Sequence, residues 1–133
     1  TSTAQLYLLT SSNNGSSYDT GGADYSRLII YYSGSTRVES IANSATFLSV
    51  GPPCGSASND SVNGTMELHS PSDSTKFTQI SMRGSMSQGD GDLKAFWGGG
   101  GRKSVADVDA VQFKMSSGNI TSGTIRMYGI VNS

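Results

Sequence analysis

Apolar positions in this chain fall mostly at every second residue, in short runs set apart by Ser, Gly, Asn and Asp. Period-two alternation places successive side chains on opposite faces of a strand. Residues 5–10 (QLYLLT) predict a first strand, with Leu6 and Leu8 on one face and Tyr7 and Leu9 on the other. Residues 25–33 (YSRLIIYYS) are the most apolar run: Leu28, Ile30 and Tyr32 share one side, Ile29 and Tyr31 the other. Apolar residues on both faces point to a central strand, or to one whose outer face meets another subunit. After a turn at 34–36, a further strand is predicted around 45–50 (ATFLSV). Gly51, Pro52 and Pro53 stop it, because proline has no N–H for a ladder. Residues 65–69 and 77–83 then alternate, with Met66, Leu68, Ile80 and Met82 inward, and residues 93–97 give a short strand.

The last quarter, residues 97–131, holds the two cleanest alternations. Val111, Phe113 and Met115 alternate with Gln112 and Lys114. Ile125, Met127 and Val131 alternate with Thr124, Arg126 and Tyr128, Gly129 being the one interruption. A glycine-bearing turn between them predicts a closing strand pair that seals the fold. The glycines at 98–101 predict a break in regular structure, since each loses much backbone entropy in any element. Residues 104–107 (SVAD) match a weak capping box and predict a single helical turn. No segment sustains helical periodicity. Long polar loops are expected at 11–24, 54–63 and 84–92. The sum is about eight strands, and the fold class is all-β: an antiparallel, jelly-roll-like β-sandwich.

Composition bounds this picture. At 133 residues the chain is one domain, with residues 1–22 reading as an arm or linker remnant ahead of the sandwich. It begins on Thr1 rather than Met, which implies processing or a longer parent. Only 14% of residues are charged, which separates it from ordinary disordered sequence. A net charge of −1 supplies no field to draw it onto nucleic acid or acidic lipid. No apolar run approaches a membrane span. The single cysteine, Cys54, rules out an intrachain disulfide.

Candidate chemistry is sparse. A nucleophilic triad needs a histidine, and His69, the only one, falls at the exposed end of an alternating strand with no G-x-S-x-G elbow anywhere. One histidine and one cysteine do not make a zinc site. Cys54 reads as a partly buried loop thiol. Residues 98–104 (GGGGRKS) resemble a phosphate loop until Arg102 is found where a glycine must precede the lysine. That run reads better as backbone passing close to a neighbour, with Arg102 and Lys103 meeting a carboxylate of a partner chain. Asp90 and Asp92 offer too few oxygens for calcium. Neither a metal nor a cofactor is assigned. Among the aromatics, Trp97 beside the glycines reads as core or subunit interface in preference to a ligand contact. Tyr18 and Tyr25 flank the first long loop, and Tyr18, Tyr31 and Trp97 are the rings set to meet a partner or a sugar face.

The chain also resembles a known family. The pattern W-G-x-x-x-R-K-S-x-A at 97–106, followed by a strand and then SSGNITSGTIRMYGI at 116–130, is similar to the closing motif of a family of tailed-phage virion proteins. Residues 24–30 (DYSRLII) and 64–79 (GTMELHSPSDSTKFTQ) resemble two earlier motifs of that family, in the right order. The family's "NGD" turn is missing, and residues 1–22 match poorly. The resemblance implies a jelly-roll-like sandwich on the outer surface of a phage particle: a non-enzymatic capsid cement or decoration protein, often a homotrimer, bridging major capsid subunits. A tail-fibre module that touches host glycan is the alternative it implies. A free carbohydrate-binding module is the third reading.

Overall fold

The computed structural model describes residues 4–88 and 91–130. Asp90 and Val131, singled out above, lie outside the described residues. The described residues form eight strands: β1 (Leu6–Ser11), β2 (Tyr25–Ser33), β3 (Thr36–Ala45), β4 (Leu48–Ser49), β5 (Ser61–His69), β6 (Gln79–Gln88), β7 (Asp92–Arg102) and β8 (Ala110–Met115). They make two antiparallel sheets packed face to face, three-stranded β4-β1-β8 and five-stranded β3-β2-β7-β6-β5. The protein is an all-β sandwich. Nested pairing of β1 with β8 and of β2 with β7 is what rolling up one long hairpin produces, and is the jelly-roll-like part. The meander β5-β6-β7 departs from it.

Ile80 and Met82 face inward, as the alternation marks them. Leu8 and Leu48 are fully buried from the smaller sheet; Tyr25, Ile29, Ile80, Met82 and Phe96 are buried from the larger. Each such aliphatic side chain contributes about 1.5–3 kcal/mol relative to exposure. Tyr31 also points inward and packs on this core, half-buried.

Three expectations are corrected. First, the glycines at 98–101 do not interrupt structure: they lie inside β7, paired on one side with β2 and on the other with β6. Their role is close approach. A Cβ on Gly100 would strike the Ser26 carbonyl and come within 2.9 Å of Leu48 Cδ2. Packing that a larger residue would block outweighs the entropy that glycine loses. Second, the strand expected at 124–131 does not form over its described part: residues 116–130 are all exposed and lie in no strand. The eighth strand is instead β3, whose inward Val38, Ser40 and Ala42 are too small or polar to stand out. Third, residues 104–107 form bends and no helical turn.

Candidate functional site

The register of β7 shapes the outer face of the five-stranded sheet. Phe96, Gly98, Gly100 and Arg102 face inward, so Trp97, Gly99 and Gly101 face out. Trp97 lies opposite Ile30 on β2 and Arg83 on β6, and Gly99 opposite Leu28 and Ser81. Beyond β2, Ile41 of β3 sits across from Leu28 and Glu39 across from Ile30. One end of this face is therefore apolar: Leu28, Tyr32, Trp97 and Ile41 are 37%, 46%, 45% and 63% exposed. The Tyr32 and Trp97 rings stand 6.4 Å apart at 38°, close enough to support one another without stacking. Arg37, Glu39 and Arg83 border them, and Arg37 pairs with Glu39 at 2.6 Å.

The other end is a shallow trough. No side chain stands over Gly99 and Gly101, and the space, about 540 Å³, is walled by Ser26, His69, Phe77, Gln79, Ser81 and Lys103. It is open, and the surface that lines it is mostly apolar. His69 invites a catalytic reading, because its Nε2 lies 3.2 Å from Ser81 Oγ and 3.8 Å from Glu67 Oε2. The geometry is not that of a triad. Both partners meet the same ring nitrogen, whereas a nucleophile and its orienting acid must engage opposite ones. The His69 and Glu67 side chains are also exposed, 52% and 67%, so no dry, low-dielectric site surrounds them. Among the described residues no group of three or more His, Cys, Asp or Glu side chains gathers to hold a metal ion. Among the described residues no helix is long and apolar enough to cross a membrane.

The residues singled out in sequence fall in different places. Trp97 is on the outer face and not in the core. Lys103 borders the trough at its end, its Nζ donating to the Asn43 carbonyl at 2.6 Å. Tyr18 packs half-buried against the core, beneath the first loop. Tyr31 is inward, as described. Arg102 differs most from expectation: it is 6% exposed and finds its carboxylate within its own chain, at Asp19, 2.8 Å away. Its guanidinium also donates to Ser12 Oγ and to the Asp107 carbonyl, both at 3.3 Å. It ties two loops to the end of β7 and is not available to a partner. Cys54 is half-buried, bridged through its backbone to Ala4, and burial pushes its thiol pKa up, away from reactive thiolate.

The trough was missed in sequence. It appears only once the register sets two glycines on the same face between neighbours that carry side chains, and a glycine run alone carries no register. The apolar end was partly legible in the double-sided β2. Comparison with known proteins returns no match among family models, curated proteins or solved structures.

Proposed function

We propose that this chain is a non-enzymatic structural subunit of a phage particle, a cement or decoration protein that packs with copies of itself on the capsid surface. The outer apolar row of Leu28, Tyr32, Ile41 and Trp97 carries this reading. A protein with so little charge that leaves aromatic and aliphatic side chains together on one sheet face has a surface suited to a protein neighbour. The closing motif at 116–130 supports the phage assignment, and its exposure places the most family-like residues where neighbours can reach them. Light scattering of the purified chain, followed by sedimentation with capsid shells, is the test. Self-association together with shell binding is expected; a strict monomer that never sediments with shells overturns the proposal.

A second reading, the glycan-binding tip of a tail fibre, is favoured by one observation. Trp97 and Tyr32 are exposed beside Arg83 and Glu39, an aromatic platform with polar groups at its border. The same surface would serve a free carbohydrate-binding module. Glycan-array binding that Trp97→Ala abolishes would support these readings over the first; an array without signal counts against both.

A further inference from the structure

The alternation at the C-terminus is that of a strand, yet residues 120–130 pair with no strand among the described residues. Among the described residues, none of 117–130 donates or accepts a hydrogen bond, and every one is exposed. Ile120, Ile125, Met127, Tyr128 and Ile130 are 46%, 60%, 73%, 78% and 86% exposed. Five large apolar side chains on one unpaired segment are costly in water and cheap in a ladder. The same molecule has a place for a strand. In β4-β1-β8 the far edge of β8 is open, with six residues of backbone facing no neighbour among the described residues. This smaller sheet covers a five-stranded one, so the core is thin at that flank. Arg27 of β2 reaches Ser49 of β4, while Val108, ahead of β8, bonds Pro71, between β5 and β6. Thus β8 lies toward β5. There Val111, Phe113 and Met115 on β8 and Met66 and Leu68 on β5 remain half-buried. A strand added beside β8 would satisfy its edge and cover these side chains.

We infer that residues 120–130 form an exchanged arm, which adds as a strand to the β8 edge of a second copy of this chain. Each copy has one arm to give and one edge to fill. Main-chain hydrogen bonds supply the attachment and the alternate side chains supply the specificity, as in strand-addition complexes. An arm passed in one direction is a head-to-tail contact, which closes into a ring when the rotation permits. The inference rests on the self-assembly part of the proposed function and names the contact that produces it.

The arm makes no hydrogen bond to the described residues of its own body, so changing it leaves the sandwich folded, which the far-ultraviolet spectrum and melting temperature check. Arg126→Pro and Met127→Pro remove adjacent N–H groups, which point to opposite sides of a strand. One of the two must therefore break a ladder hydrogen bond. Light scattering should show association of the parent chain, a loss of tenfold or more in association for at least one proline variant, and no loss for Arg126→Ala. If the parent associates and both proline variants and a chain ending at Asn119 associate equally, the inference is overturned while the self-assembly reading stands. If the parent is monomeric at every concentration, both fall. Pairing of the arm with its own β8 is separated by Gln112→Cys and Arg126→Cys in a Cys54→Ser background. Disulfides between chains carrying one cysteine each support exchange. Closure only within a chain carrying both overturns it.

Discussion

Arg102 and Asp19 face each other 2.8 Å apart at one end of the sandwich, the arginine from the last residue of β7 and the aspartate from the first long loop. The guanidinium is almost wholly removed from water and the carboxylate keeps 29% of its side-chain exposure. Loss of one partner from a buried pair leaves an uncompensated charge. Arg102→Met should therefore cost about 3 kcal/mol, measured by urea unfolding. Asp19→Asn should cost as much or more, because the charge it strands is the buried Arg102 guanidinium, whereas Arg102→Met strands a carboxylate that water still reaches. Both variants should keep any surface binding, since neither residue lies on the outer face.

Tyr25 anchors the same end from within. Its hydroxyl accepts the Thr10 N–H at 2.8 Å and donates to the Asp19 carbonyl at 3.1 Å. Tyr25→Phe leaves the Thr10 N–H without that acceptor and should cost about 1–3 kcal/mol. Burial raises the Tyr25 pKa above its ordinary value of 10.0, more than the Thr10 hydrogen bonds lower it. The folded state thus holds the neutral phenol. Below the unfolded pKa, about 10, the phenol's contribution is fully present. As pH rises past that value the unfolded chain ionises first, and stability is lost up through the higher folded pKa. An alkaline unfolding titration should show this loss in the parent chain, and Tyr25→Phe should make it shallower.

Phe96 rests on glycine. A Cβ added to Gly84 would meet the Asn63 carbonyl and lie 2.5 Å from Phe96 Cζ. Gly84→Ala should destabilise by about 1–3 kcal/mol or more, the usual cost of overpacking. Gly100→Ala should do the same, through Ser26 and Leu48. Thermal melts test both. Gly22→Ala, where a Cβ meets nothing within 4 Å, is the control and should change stability by less than about 0.5 kcal/mol.

These glycines show which parts of the fold a sequence can reveal. Ile80, Met82 and Leu68 lie where alternation places them, because each needs only its own strand to be recognised. The role of Gly98 to Gly101 depends on strands contributed from Ser26 to Leu28 and from Thr78 to Ser81, and pairing at that distance leaves no local trace. Arg102 looked like a surface cation for the same reason: its partner Asp19 lies in a loop far upstream. β3 was obscured by its own composition, with Arg37 and Glu39 outward and only Val38, Ser40 and Ala42 inward. The strand pattern at 124–130 was real as a pattern, but a strand forms only where an edge accepts it. Trp97 was legible as a residue to watch, and its place on the outer face followed from the register alone.

Trp97→Ala tests that face. The ring is 45% exposed and contributes little to the core, so melting should change only slightly. Association with copies of the chain or with capsid shells should weaken by tenfold or more if the face is an interface centre, as buried tryptophans at interfaces commonly are. Sedimentation assays against Tyr18→Phe, which leaves the outer face intact, provide the comparison.

The most direct measurement is the mass of the intact chain in solution across a range of concentrations, repeated after incubation with capsid shells. A homo-oligomer, with three copies the expected closure, that co-sediments with shells is the predicted result. A monomer at every concentration that leaves the shells unbound would contradict it.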